Sequence, residues 1–158
     1  MTQLSHLDEQ GRARMVDVSE KATTRRRAEA RCHLLCAAET LAAVRSGTVP
    51  KGNVISTAEL AGVMAAKRTA DLIPLCHPLA LSHVAVTIAL DDALPGFLVQ
   101  AEVSTTGQTG VEMEALTAVT ISALTLFDML KAIDKSMRID AARVTAKSGG
   151  RSGDWAQP

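Results

Sequence analysis

The sequence predicts a single α+β domain in which an antiparallel sheet packs on helices, in the order β-α-α-β-β-α-β. Hydrophobic and polar residues alternate in several segments, as they do in half-buried strands. Segments of helical composition lie between those strands, and one long, nearly uncharged segment follows a glycine-containing loop. The order is close to the ferredoxin-like pattern with one extra helix.

The first predicted strand lies near residues 28–34. Small and hydrophobic side chains alternate there with charged and polar ones, and they are Ala28, Ala30, Cys32 and Leu34. A period of two places one set on the buried face of a sheet and the other set on the opposite face. The two ends of the chain, residues 1–13 and 154–158, are expected to be loose tails.

Two helices are predicted next, over residues 37–45 and 54–72. Asn53 and Ser56 are the candidate N-caps of the second helix, because their short polar side chains can accept a backbone N–H hydrogen bond. Two prolines follow this helix and hold residues 75–77 in an extended conformation.

A hairpin and a last strand complete the predicted sheet. Residues 81–90 and 97–103 alternate hydrophobic and polar side chains on either side of a turn. The last strand is predicted over residues 137–146, and residues 147–153 after it contain three glycines, two serines and two cations. Such a segment can surround a phosphate with N–H groups and positive charge. A flexible polar C-terminus is its commoner interpretation.

A long helix is predicted over residues 111–133, and its middle part, residues 115–127, carries no charge. A helix that is apolar on all sides is buried on all sides. One sheet of a small domain covers only one side, so we expect the other side to pack on a second copy of the chain. The uncharged part is shorter than the roughly 20 apolar residues that span a bilayer, so no membrane span is predicted.

Charged residues stand at the two ends of this helix. Glu112 and Glu114 lie in the first turn, where the helix dipole favours carboxylates. Asp128 and Lys131 lie near the last turn, three residues apart and within ion-pair reach. Dipole stabilisation and a surface ion pair are the simpler interpretations. Glu114 and Asp128 share nearly one stripe of the helix but are about 21 Å apart, so we expect a composite site at an interface between subunits.

Lys51 and His77 are further candidates for the site. Lys51 stands in a Pro-Lys-Gly turn, where a mobile surface lysine is common. Enclosed in an interface, its amine would have a lowered pKa and could exchange protons. His77 is fixed between Cys76 and Pro78, where it either stabilises the loop or donates a hydrogen bond to a ligand oxygen.

The composition excludes other classes of function. The 17 Lys and Arg residues balance the 17 Asp and Glu residues, and aromatic residues are only 2% of the chain, which disfavours nucleic-acid and membrane binding. The three cysteines cannot all form pairs, and the N-terminus lacks the apolar centre of a secretion signal, so a cytoplasmic protein is expected. The sequence contains no Walker or dinucleotide-binding glycine motif, and we expect no cofactor and no metal.

Five segments of the chain carry a resemblance to a known protein family, and they are Met15–Ser19, Ala66–Thr69, Leu72–Pro78, Thr109–Thr117 and Lys147–Gly150. Together they resemble the molybdenum-cofactor biosynthesis protein C family, in order over about residues 3–154. The blocks Leu-Ile-Pro-Leu-Cys-His-Pro and Gly-Val-Glu-Met-Glu are the most specific. The chain departs from the family pattern at Asn53, His83 and Arg151.

The resemblance implies a ferredoxin-like subunit that assembles as a homohexamer, a trimer of dimers, with active sites at subunit interfaces. Members of the family are cyclic pyranopterin monophosphate synthases, lyases of molybdenum cofactor biosynthesis. The implied reaction converts 3′,8-cyclo-7,8-dihydroguanosine 5′-triphosphate, a cyclised GTP, into cyclic pyranopterin monophosphate and diphosphate. The implied catalytic residues are Lys51, Asp128 and Lys131. The implied substrate-binding residues are Leu75, Cys76, His77, Met113 and Glu114, with Glu112 beside them.

The chemistry fits these residues, because a ring rearrangement without net electron transfer needs proton transfers that lysines and carboxylates supply. We expect Lys51 and Lys131 to act as acid and base, with Asp128 orienting Lys131. A regulatory ligand-binding module is the main alternative, and a buried Asp128–Lys131 pair would argue against it. A zinc-binding protein that uses Cys32, Cys36 and Cys76-His77 is a third hypothesis, although Cys32 and Cys36 fit better as small buried residues.

Overall fold

The computed structural model describes residues 5–158 of the chain. In chain order, the elements are β1 (Thr24–Leu35), α1 (Ala38–Arg45), α2 (Val54–Ala66), α3 (Thr69–Leu72), β2 (His83–Asp91), β3 (Gly96–Gly107), α4 (Glu112–Leu130), β4 (Arg138–Ser148) and β5 (Trp155–Ala156). The predicted N-terminal tail lies partly outside the described residues. Its remainder forms a small turn, in which Asp8 accepts hydrogen bonds from the backbone of Gln10 and Arg12.

The strands form one antiparallel sheet in the order β2-β3-β1-β4-β5. Its first four strands have the neighbours of a ferredoxin-like sheet, so the predicted fold class is confirmed. The short strand β5 differs from the prediction. Trp155 and Ala156 pair with Lys147 and Ala146 of β4, within a segment that the sequence suggested would be a loose tail.

The alternation predicted for β1 matches its burial. Ala28, Ala30, Cys32 and Leu34 are at most 1% exposed, and they face the helices. The Cys32 thiol donates a hydrogen bond to the carbonyl of Val119 in α4, with 3.2 Å between sulfur and oxygen. Burial raises the pKa of Cys32 to about 12, so this thiol stays protonated and serves as a small core residue.

The prediction of one continuous second helix is wrong, because the chain forms two helices there, α2 and α3, with a break between Ala66 and Thr69. Asn53 is the N-cap of α2, since its Oδ1 accepts a hydrogen bond from the backbone N–H of Ser56. At the other end, the hydroxyl of Thr69 donates to the carbonyl of Ala66. That hydroxyl takes the place of a backbone donor, so α2 ends without the glycine or proline that usually marks such an end.

The long helix α4 forms the core of the helical layer. It packs on β1, β3 and β4 with α2 beside it, and nine of its 19 residues are buried. It is also the one helix within residues 5–158 that is long and apolar enough to cross a membrane by length and composition. On its outer side Leu124 and Met113 are 51% and 38% exposed, so the single chain covers only one side, and packing on a second copy stays a prediction.

Helices α2 and α4 touch through small residues. A Cβ atom on Gly62 would lie 2.9 Å from the carbonyl oxygen of Ala118 and 3.2 Å from Cβ of Ser122. The hydroxyl of Ser122 donates to the carbonyl of Ala58 in α2, over 2.9 Å. The two helix backbones therefore approach each other at a position where only glycine fits.

We expect Gly62→Ala to lower the free energy of unfolding by about 1 kcal/mol, although alanine favours a helix by roughly that amount, because overpacking against a backbone atom costs more. Gly62→Leu should cost more than Gly62→Ala. Urea unfolding at fixed protein concentration measures both. Ser56→Ala, an exposed change in the same helix, is the control and should alter stability by less than about 0.5 kcal/mol. A stabilised Gly62→Ala variant would contradict the close contact.

Candidate functional site

The N-terminal end of α4 closes one side of a pocket of about 350 Å³. The extended segment after α3 and the segment before β1 form its other walls. The residues that the sequence singled out for substrate binding all line it, and they are Leu75, Cys76, His77, Glu112, Met113 and Glu114. The fold thus brings two distant sequence blocks together around one cavity.

His77 is anchored in this pocket by a short hydrogen bond. Its Nε2 lies 2.7 Å from the carbonyl oxygen of Val16. Because a carbonyl can only accept, Nε2 carries the hydrogen, and Nδ1 of a neutral ring is then an acceptor. The predicted donation from His77 to a ligand oxygen is therefore possible from Nδ1 only when the ring is charged.

Two acidic residues of one helical turn stand in different environments here. Glu112 is paired with Lys147, with 2.9 Å between Nζ and Oε1. Glu114 is only 4% exposed, and burial, with a smaller effect from the charge of Glu112, raises its pKa to about 7. Burial and the neighbouring Glu114 also raise the pKa of Cys76. Glu114 can therefore gain or lose a proton near neutral pH, a property that the dipole interpretation did not suggest.

A larger pocket of about 930 Å³ adjoins the first and shares Lys21, Thr109, Gly110 and Glu112 with it. The glycine-containing segment after β4 forms part of its wall. Its lining includes five cations, which are Lys21, Arg26, Arg27, Lys147 and Arg151. Several cations around one cavity favour an anionic ligand.

The glycines of this segment let the Arg26 side chain reach the wall of the larger pocket. Gly150 has a φ of +85°, and a Cβ atom there would collide with the guanidinium of Arg26. The same guanidinium donates to the carbonyl of Gln108 over 3.3 Å, while Lys147 donates to the Ser152 hydroxyl over 2.8 Å. Two cations are thus held by specific contacts at the pocket.

The predicted catalytic residues meet at the other end of α4. Lys131 Nζ lies 2.6 Å from Asp128 Oδ1. Lys51 Nζ lies 3.4 Å from Asp128 Oδ2 and donates to the Asp128 carbonyl over 3.1 Å. The hydrogen bond from Lys131, followed by that from Lys51, lowers the pKa of Asp128. The three residues line neither of the two pockets described above.

The Asp128–Lys131 pair, whose burial would argue against a regulatory module, is not buried in the single chain. The side chains of Lys51, Asp128 and Lys131 are 45%, 58% and 56% exposed, because the last turn of α4 and the turn that carries Lys51 both lie at the subunit surface. The three side chains are therefore accessible to any molecule that binds at this surface.

The zinc hypothesis finds no support in the geometry. Within residues 5–158, no three His, Cys, Asp or Glu side chains are arranged to hold a metal ion. Two of the three departures from the family pattern, Asn53 and His83, lie away from both pockets. Asn53 caps α2, and His83 lies at the start of β2, where its Nε2 is 3.9 Å from Glu102.

A ferredoxin-like chain with a pocket that holds a histidine and a buried glutamate, a cation-lined cavity beside it and a lysine–aspartate cluster has the features of an enzyme that acts on a small anionic molecule by acid–base chemistry. Comparison with known proteins identifies the family. The sequence pattern of the MoaC family matches residues 15–150, and the chain belongs to that family.

Named relatives cover nearly the whole chain. A protein of Chloroflexus aggregans is 60% identical over 97% of this chain and 93% of its own length. A Nostoc protein is 58% identical over 98% of this chain and 92% of its own length, and a Cereibacter sphaeroides protein is 58% identical over 97% and 96%. All three are named cyclic pyranopterin monophosphate synthase.

We expect Glu114 to make the stability of the protein depend on pH. Its folded pKa of about 7 lies above the ordinary 4.5, so between these values the folded state holds a proton that the unfolded chain releases. Stability should therefore decrease as pH rises from 4.5 to 7. Glu114→Gln should remove a decrease of up to about 3 kcal/mol.

Urea unfolding at several pH values and one protein concentration measures this effect. The exposed change Glu9→Gln should keep the pH dependence of the wild type. The same slope in wild type and Glu114→Gln would show that Glu114 is not the group responsible.

Proposed function

We propose that this chain is a cyclic pyranopterin monophosphate synthase, a lyase of molybdenum cofactor biosynthesis. It converts 3′,8-cyclo-7,8-dihydroguanosine 5′-triphosphate into cyclic pyranopterin monophosphate and diphosphate. The observation that carries this proposal is the 58–60% identity to three synthases over nearly the full length of both chains. Two pockets of suitable chemistry support it.

The two adjoining pockets suit the two parts of this substrate. The smaller pocket, with His77 and Glu114 in its walls, offers hydrogen-bonding groups to the fused rings. The larger pocket, with Arg26, Lys147 and Arg151 in its walls, offers positive charge to the triphosphate. Those cations would also stabilise the charge that develops when diphosphate leaves.

Lys51 and Lys131 then act as acid and base. The reaction opens a purine ring, forms a pterin and closes a cyclic phosphate, with no net electron transfer, so proton transfer and charge stabilisation are what the protein must supply. Asp128 contacts both amines and orients them. Glu114, with a pKa of about 7, is a third group that can exchange a proton beside the rings.

The catalytic cluster reaches the pocket through assembly. Glu114 and Asp128 are about 21 Å apart along one helix, so the cluster of one chain would serve the pocket of another. Exposed hydrophobic side chains on the outer side of the helical layer, at Leu60, Met64 and Leu124, support contact with a second copy. The assembly proposed is a homohexamer, a trimer of dimers, that works in the cytoplasm.

We expect wild-type protein incubated with the cyclised GTP to release pterin product and diphosphate. Binding without turnover would favour the regulatory alternative. Lys51→Ala and Lys131→Ala should each abolish product and leave the oligomer intact, as judged by light scattering. Near-normal turnover in either variant would contradict its proposed role.

The composite site predicts complementation between variants. His77→Ala and Lys131→Ala, co-expressed as mixed oligomers, should recover roughly a quarter of wild-type activity, because that share of the sites combines an intact pocket with an intact cluster. Lys51→Ala mixed with Lys131→Ala is the matched control. It should recover nothing, since both lysines contact Asp128 of their own chain. Equal activity in the two mixtures would contradict a site shared between subunits.

A further inference from the structure

Asp134 follows α4 by four residues and is only 7% exposed. Its carboxylate accepts four hydrogen bonds. Oδ2 accepts from the backbone N–H of Ala37 over 2.9 Å and from the hydroxyl of Thr40 over 3.0 Å. Oδ1 accepts from the backbone N–H and the hydroxyl of Ser136 over 2.8 and 2.7 Å. Although burial raises the pKa of Asp134, these hydrogen bonds together lower it to about 2, so the group is charged near neutral pH.

These contacts join the ends of two helices. Ala37 precedes α1, and as an alanine it has no side chain that could cap the helix. Asp134, from a distant part of the chain, instead accepts the backbone N–H of Ala37 itself and the hydroxyl of Thr40 in the first turn of α1. Its own backbone N–H donates to the carbonyl of Leu130, the last residue of α4, over 3.1 Å. One residue therefore completes the start of α1 and the end of α4.

The position of Lys51 depends on α1. Lys51 lies six residues after Arg45, the last residue of that helix. The intervening turn folds back onto α1, where the N–H of Thr48 donates to the carbonyl of Ala43 over 3.1 Å. Val49, two residues before Lys51, is 7% exposed and belongs to the core. If the start of α1 moves relative to α4, Lys51 moves relative to Asp128.

The direct contact between Lys51 and Asp128 cannot hold this geometry by itself. Both side chains are about half exposed, and exposed ion pairs contribute little to stability. Hydrogen bonds to a buried carboxylate are stronger and have a fixed geometry. Two firmer connections remain between the two parts of the cluster. One is the packing of α2, which begins at Val54, on α4, and the other, on the α1 side of Lys51, runs through Asp134.

We infer that Asp134 is a positioning residue for the reaction, which fixes Lys51 relative to Asp128 and Lys131 by tying the start of α1 to the end of α4. The inference rests on the proposed function of these lysines. The two hydrogen bonds on Oδ2 carry the positioning, because they lead to α1. The two on Oδ1 stay within the segment of Asp134 itself.

This division gives a matched set of variants, each made in the full chain. Thr40→Val removes a donor to Oδ2 and keeps the shape of the side chain, and Thr40→Ser restores the hydroxyl. Ser136→Ala removes a donor to the same carboxylate without touching α1. We expect kcat to fall about tenfold or more in Thr40→Val and in Asp134→Asn, as for a misplaced catalytic group. KM should change little, and Thr40→Ser and Ser136→Ala should keep a kcat near that of the wild type.

All assays are run below the thermal transition of each variant, so a loss of kcat is not a loss of folded protein. Hydrogen exchange gives a second measurement that does not depend on the reaction. Amides of residues 47–53 should exchange faster in Thr40→Val and Asp134→Asn than in Ser136→Ala. Unchanged kcat and unchanged exchange in Thr40→Val and Asp134→Asn, or an equal loss of kcat in Ser136→Ala, would overturn the inference.

If the wild type does not turn over the cyclised GTP, the proposed function fails instead. Faster exchange at residues 47–53 would then still establish the structural tie.

Discussion

The packing of α4 between the sheet and α2 is the constraint on which the rest of the structure depends. Its inner side is filled by small and aliphatic residues, and Gly62 of α2 approaches so closely that a single added carbon would meet the Ala118 carbonyl. Packing of this kind fixes the position of the helix, and its charged residues lie at or near its two ends. The charged groups of the site are consequently divided into two clusters, and the separation between them is fixed by helix length.

The sequence was sufficient to predict the fold because the burial pattern is local. The alternation through Ala28, Ala30, Cys32 and Leu34 has the period of a strand, and all four side chains are buried. The break between α2 and α3 could not be predicted in that way. At the break, the hydroxyl of Thr69 donates to the carbonyl of Ala66, and threonine at that position carries no general signal for a helix end. Strand β5 forms only through pairing with β4, so its own sequence did not predict it either.

The sequence predicted which residues line the site better than it predicted how buried each of them is. The sequence blocks around His77 and Glu114 indicated residues that the fold does bring to one pocket. The sequence did not indicate the environment of the charged groups, since Glu114 is buried while Asp128 is exposed in the single chain. Burial is decided by elements distant in sequence. Asp134 drew no attention for the same reason, because Ala37 and Thr40 are 97 and 94 residues away.

The different exposure of the two clusters has a consequence for how the proposed enzyme would work. Residues of one chain line the pocket and enclose its buried acid, so a lone subunit can offer a binding surface. The lysines are exposed and about 21 Å away along α4, so a lone subunit cannot bring them to the bound rings. In the proposed assembly, the neighbouring chain supplies the lysines and also excludes water from them. One chain alone would then bind the substrate, whereas proton transfer would require the assembled oligomer.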